Sequence, residues 1–254
     1  MEALFNEYTD QIACVILEPA RTAEPEPGFL TSLKALCRRN GALLVFDEMI
    51  TGFRWHAAGA QAMYGVAPDL ATFGKAMGNG FAVSAISGRR DIMELGGLNT
   101  DRERVFLLST THGAETHSLA AGIATMRVYR EEDVVGHLHR QGRRLREGIN
   151  HFVGTLGLSG YFDCIGRDCC LLYSTCDADK KPSQPFRTLF LQEMIARGVI
   201  APAFVVSYSH ANEDIDRTVE IAGEALAVYR RALEEGVEKY LRGRPVKPVF
   251  RPFA

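Results

Sequence analysis

No run of about 18 apolar residues occurs in this chain, so the sequence offers no candidate for a bilayer-spanning helix. A basic segment followed by an apolar one is also missing at the start. Met1-Glu2-Ala3-Leu4-Phe5-Asn6-Glu7 carries acids instead, which argues against a secretory leader and makes the cytoplasm the expected location. An excess of one charge sign is absent: the net charge of -2 gives no pull toward nucleic acid or an anionic membrane. Neither Gly-x-Gly-x-x-Gly nor Gly-x-x-x-x-Gly-Lys-Ser/Thr occurs, which speaks against a dinucleotide or nucleoside-triphosphate fold. The six cysteines lack paired Cys-x-x-Cys spacing. Cys14, Cys37, Cys164, Cys169, Cys170 and Cys176 therefore read as reduced thiols, and neither a disulfide framework nor a metal site is expected. Internal repeats and low-complexity tracts are missing too.

What is present suits a packed α/β globule. Apolar residues make up 46% and charged residues 24% of 254, enough for one large or two small domains. Ile12–Leu17 is a short continuous apolar run and predicts a strand buried on both faces. Three prolines between 19 and 27 predict a loop. Phe29, Leu30, Leu33, Leu36 and Cys37 have helical spacing, stopped by Gly41, and Ala42–Phe46 is the next strand. A helix over 57–64 and strands at Leu70–Phe73, Val83–Ser87 and Val105–Leu108 follow. Residues 116–152 read as one or two long helices. Strands near Phe162–Ile165 and Cys169–Tyr173, a helix over 186–197 and a last helix over 212–235 complete a smaller α+β unit.

The chemistry concentrates in two places. Asp47 ends the run Ala42–Phe46, and Lys75 follows the strand Leu70–Phe73 in Gly74-Lys75-Ala76-Met77-Gly78-Asn79-Gly80. Ligands of open α/β sheets sit beyond the carboxyl ends of strands, where both residues fall. A lysine amine that condenses with an aldehyde, beside an acid that keeps a ring nitrogen protonated, suits pyridoxal phosphate. His112, His117 and His210 read as core or cap residues.

These segments resemble a known family. Val45-Phe46-Asp47-Glu48-Met49-Ile50-Thr51-Gly52-Phe53-Arg54 is similar to the Asp-Glu-(Val/Met)-x-Thr-Gly-Phe-Arg stretch of class III aminotransferases of fold-type I, closest to glutamate-1-semialdehyde 2,1-aminomutase-like members. Ala67–Lys75 resembles the family's Pro-Asp-(Leu/Ile)-x-x-x-Gly-Lys segment. Gly28-Phe29-Leu30 after Leu17-Glu18-Pro19, and Ser207–His210 followed by Asp214–Thr218, fit in the same order. The resemblance implies amino-group transfer on pyridoxal phosphate. It assigns covalent attachment and proton transfer to Lys75, the ring nitrogen to Asp47, and the ring face to Met49. Thr111, or Thr110 beside it, would reach the cofactor phosphate of a neighbouring subunit in a homodimer. Glu18 and Arg54 would shape the pocket for a small amine or carbonyl substrate.

The sequence departs from the family around Ala20–Pro25, and at Ala114-Glu115-Thr116 in place of Gly-Asn-Pro. The first departure removes an asparagine usual in the aminomutase. Aminomutation, transamination, and transfer to a sugar-type carbonyl therefore all remain open. The family's preceding segment, with its phosphate-cupping Gly-Ser/Thr turn and ring-stacking aromatic, has no counterpart here. The expectation is a partial, mostly parallel cofactor domain over 1–135 with an exposed sheet edge, and a small α+β domain over 136–254. An inactive fragment, or one subunit of a split enzyme completed by a separate N-terminal chain, would look like this. Alone, such a chain would hold cofactor weakly or not at all.

Overall fold

The computed structural model describes residues 1–98, 100, 101, 103, 105, 111, 113 and 115–247. The chain divides into two compact units, Met1–Val135 and Gly136–Ala254. In the first unit, a helix α1 (Glu2–Glu7) that the sequence reading did not anticipate precedes β1 (Cys14–Leu17). Then come α2 (Phe29–Arg39), β2 (Leu43–Asp47), α3 (Ala60–Tyr64) and β3 (Leu70–Phe73). A single 3-10 turn, Lys75–Met77, leads to β4 (Ala85–Gly88) and the short α4 (Arg90–Met93). The strand expected over Val105–Leu108 falls, apart from Val105, outside the described residues. The long α5 (Thr116–Glu131) closes this unit.

The sheet order is β1-β2-β3-β4. β1 and β3 flank β2 in parallel, and β4 runs antiparallel to β3, so the sheet is mixed but mostly parallel. β2 is one of the two inner strands: Leu44 and Phe46 are fully buried, against Leu30, Leu33, Leu36 and Cys37 of α2. Helix α2 places these four on one stripe at 3.6-residue spacing. It ends at Asn40, followed by Gly41 in the left-handed region at φ +67°. Asp69 ties the start of β3 to β2, accepting from the Leu44 amide at 2.8 Å and from Arg89 Nη1 at 2.8 Å.

One expectation needs correcting. β1 is not buried on both faces: Cys14 is exposed, Ile16 is 61% exposed, and only Val15 and Leu17 are half-buried. An apolar run shows that a strand can be buried, not that other elements cover it. β1 stands at the edge of the described sheet, with one face open.

The second unit contains α6 (Val134–Thr155), β5 (Phe162–Ile165), β6 (Leu172–Thr175), α7 (Gln184–Ala196) and α8 (Asn212–Glu235). β5 and β6 form an antiparallel pair. The rings of Phe162, Tyr173 and Phe190 pack together, with Phe162 to Phe190 at 4.7 Å between centroids. The Tyr229 hydroxyl, carried by α8, shares its one proton between the backbone carbonyls of Tyr161 and Cys176 and accepts from the Cys176 amide at 3.0 Å. The strand expected at Cys169–Tyr173 begins later, at Leu172, because Asp168–Cys170 forms a 3-10 turn. Arg146 Nε binds Asp168 at 2.8 Å, and α6 approaches so closely that a Cβ on Gly142 would lie 1.7 Å from the Asp168 carbonyl oxygen.

Candidate active site

Parallel pairing builds the site. The register Val45↔Leu70, Phe46↔Ala71 and Asp47↔Thr72 brings the carboxyl ends of β2 and β3 side by side. Asp47 stands at one of these ends, and Lys75 lies two residues beyond the other. The Glu48 amide donates to the Thr72 carbonyl at 3.0 Å, which continues the ladder one residue past β2.

Asp47 is half-buried. Its Oδ1 accepts from the Met49 amide at 3.0 Å and from Thr72 Oγ1 at 3.2 Å. Its Oδ2 has no donor among the described residues. Lys75 is exposed, and its Nζ has no hydrogen-bond or ion-pair partner among the described residues. Its backbone is at φ +45°, a region that costs an L-residue on the order of 1–2 kcal/mol. The 3-10 bonds Met77 N–H to Gly74 and Gly78 N–H to Lys75, 3.0 and 3.1 Å, hold that conformation. Met49 packs on this turn: a Cβ on Gly74 would fall 2.4 Å from its Cε and 2.9 Å from its Sδ. Gly74 itself is extended, so glycine is required here for the close approach of the thioether.

Glu48 is fully buried and faces away from solvent into the following loop. It accepts a short hydrogen bond from Thr51 Oγ1, and bonds from the Ala60 and Gln61 amides at 2.7 and 2.8 Å. These two amides are free donors at the start of α3, so the carboxylate caps that helix across the chain. This explains why α3 begins at Ala60 and not at residue 57. Gly59, at φ +80°, passes directly over the carboxyl group, and a Cβ there would lie 2.5 Å from it. The clamp fixes the loop that carries Phe53, Arg54 and Trp55. Phe53 takes φ +63°; its carbonyl accepts from the Tyr129 hydroxyl at 2.5 Å, and its ring meets those of Phe73 and Tyr129 edge-on.

The remaining sequence-derived candidates are less convergent. Arg54 is half-buried in the clamped loop. Glu18 lies just past β1, at the same sheet edge as Asp47, and pairs with Arg21 Nε at 3.4 Å. Thr111 is exposed in a turn before α5, and Thr110 lies outside the described residues. Sequence reasoning missed Glu48 and Thr72 as contributors. Thr72 carries no motif signal of its own, because only strand register sets it beside Asp47. Among the described residues no cluster of His, Cys, Asp and Glu could hold a metal ion, and no helix is long and apolar enough to cross a membrane.

The donor set suits a pyridine carrying an aldehyde: a carboxylate oxygen and an amine at neighbouring strand ends, neither partnered among the described residues, and a thioether packed on Gly74. Comparison with known proteins points the same way. A family model described as aminotransferase class-III matches residues 1–154. The glutamate-1-semialdehyde 2,1-aminomutase of Thermomicrobium roseum is 37% identical over 246 residues, covering 91% of this chain and 56% of that protein. A β-phenylalanine aminotransferase from Variovorax paradoxus superposes with a TM-score of 0.76 at 26% identity, over 89% of this chain and 55% of that one. The FumI protein of Sphingopyxis sp. MTA144, solved in its PLP internal aldimine form, gives a TM-score of 0.80 at 24% identity, over 92% and 56% of the two chains. This chain thus spans about 56% of the length of the curated relative it matches. By the matched family model and by identity along nine-tenths of its length, the chain belongs to the class-III aminotransferases.

Proposed function

We propose that this chain carries the lysine and the electron-sink acid of a pyridoxal-phosphate enzyme that moves an amino group. The observation that carries the reading is the pairing of β2 with β3, which sets Asp47 Oδ2 and the Lys75 amine, both without a partner among the described residues, at adjacent carboxyl ends. When bound, pyridoxal phosphate supplies an aldehyde for the amine and a ring that delocalises a carbanion's charge. Asp47 Oδ2 would hold the ring nitrogen and its proton by a charge-assisted hydrogen bond. Lys75 Nζ would hold the cofactor through its aldehyde carbon and, freed from it, would take a proton from the carbon that bears the substrate's amino group and return it at another carbon. Met49, packed on Gly74, would lie against the ring face and limit water there. Glu18 and Arg54 border the substrate, and Thr111 or Thr110 offers a hydroxyl to a cofactor phosphate of the second subunit of a homodimer. Residues 1–135 form the cofactor-bearing part and 136–254 the small domain. A separate N-terminal chain supplying the phosphate cup, and a cytoplasmic location, belong to the same reading.

The aminomutase relatives favour an amino-aldehyde substrate isomerised in place. That reaction needs no second substrate, whereas a transaminase stalls without an acceptor, and an amino-donor and acceptor screen separates the two. Attachment is tested first. Incubation with pyridoxal phosphate, borohydride reduction and peptide mass mapping will place the added mass on Lys75, and Lys75→Ala will abolish it. Labelling spread over surface lysines and unchanged in Lys75→Ala would remove the basis of the proposal.

A further inference from the structure

We infer that Thr72 is a positioning residue for Asp47: its hydroxyl, with the Met49 amide, occupies Oδ1 and so presents Oδ2 toward the ring nitrogen. This rests on the function proposed above and goes beyond it, because it names the group that sets which carboxylate oxygen is available. Three observations converge. Thr72 pairs directly with Asp47 in a parallel ladder, so the two side chains project from the same face of the sheet. Ala71 and Phe73 project from the other face, and a slip of one residue would remove the hydroxyl altogether. Oδ1 then collects two donors, at 3.0 and 3.2 Å, while Oδ2 collects none among the described residues.

The threonine is itself held on both sides. Its carbonyl accepts from the Glu48 amide at 3.0 Å, and it pairs with Ile86 of β4. Being β-branched, its χ1 is stiff, so the hydroxyl stays where the register puts it. An Asp47 side chain free to turn about its Cα–Cβ bond would lose that freedom when its carboxylate engages a ring nitrogen. One already fixed through Oδ1 has given it up in the folded chain, and binding is correspondingly tighter.

The test uses Thr72→Val, which keeps the branched shape and strand preference but removes the donor, and Thr72→Ser, which restores it. In the chain without added cofactor, three-bond NMR couplings to Asp47 Cγ will report one χ1 rotamer in the wild type and in Thr72→Ser, and averaged rotamers in Thr72→Val. Pyridoxal phosphate binding will weaken about tenfold in Thr72→Val, the usual effect of losing one hydrogen bond to a charged group, and recover in Thr72→Ser. In an Asp47→Asn background the Thr72→Val loss will shrink to less than about threefold, since the effect passes through the carboxylate. A single Asp47 rotamer in Thr72→Val overturns the inference. So does unchanged cofactor affinity in a Thr72→Val chain that binds through Lys75, or a loss of equal size in the Asp47→Asn background. Should the wild type and Lys75→Ala take up cofactor alike, the proposed function fails instead, and the couplings alone decide whether Thr72 holds Asp47.

Discussion

Replacing Glu48 offers the most direct check on how this active-site framework is held. Its carboxylate is fully buried and receives three donors: Thr51 Oγ1 and the amides of Ala60 and Gln61. A hydrogen bond to a charged acceptor is worth about 1.5–3 kcal/mol, and a buried donor left unpaired costs about 1–3 kcal/mol. In Glu48→Gln, one oxygen can still serve Thr51 and Ala60, but the amide nitrogen then faces the Gln61 N–H. One bond is lost, for roughly 2 kcal/mol. In Glu48→Ala all three donors are stripped in a dry site, which costs roughly 3–5 kcal/mol, a large part of the about 5–15 kcal/mol that stabilises an ordinary domain. The assay is built in. Trp55 is the only tryptophan, it is 4% exposed, and it sits in the loop that Glu48 clamps. Urea unfolding followed by its fluorescence will show midpoints ordered wild type, Glu48→Gln, Glu48→Ala, with similar slopes. Equal losses for the two variants, or losses below about 1 kcal/mol in both, would mean that the carboxylate fills space and does not cap the helix.

Further outcomes follow from the same geometry. Gly59→Ala will destabilise the Trp55 transition by roughly 2–4 kcal/mol, since it adds positive-φ strain to a Cβ placed against the Glu48 carboxyl group. Gly74→Ala will push Met49 off the Lys75 turn, and added pyridoxal phosphate will bind more weakly in equilibrium dialysis with little change in folding. A thiol reagent will modify the exposed Cys14 first under native conditions, whereas the buried Cys37 and Cys169 will react only on unfolding, as stopped-flow absorbance will show. Burial raises Cys164 from 9.0 to about 11, Cys169 from 9.0 to about 12, and Tyr173 from 10.0 to about 12. Groups whose folded value is raised contribute stability that is present below their ordinary values and lost as pH climbs toward 11–12. The second unit will therefore melt earlier from about pH 9 upward in far-UV circular dichroism, and a flat melting temperature between pH 8 and 11 would contradict this.

Much of the framework was legible because local pattern and tertiary burial agree. Ala42–Phe46 is continuous apolar sequence and all but its first residue lie in the inner strand β2; the α2 stripe faces it; Asp47 and Lys75 fall at strand ends as the apolar runs imply. Elsewhere the sequence lacks the needed information. Cys169–Tyr173 has strand-like composition, yet the approach of α6 and the pull of Arg146 on Asp168 turn its first half into a 3-10 turn. The helix expected from residue 57 starts at Ala60 because Glu48, 12 residues back, caps it there. Ile16 is as apolar as Val45, but the one is 61% and the other 7% exposed, a difference set by neighbouring elements and not by the residues. Thr72 acquires its place beside Asp47 only from register, which no local motif encodes.

The open side of β1 bears on how this polypeptide behaves at high concentration. Among the described residues β1 is an edge strand with an unpaired outer backbone row, Cys14 and Ile16 on its bare face and no proline or lysine to interrupt it, a template for the next molecule's strand. The cysteine on that face can then lock a chance encounter into an intermolecular disulfide under oxidising conditions. Turbidity that grows with protein concentration, and that falls on adding a reductant or placing a lysine at position 16, is the colloidal signature this edge imposes.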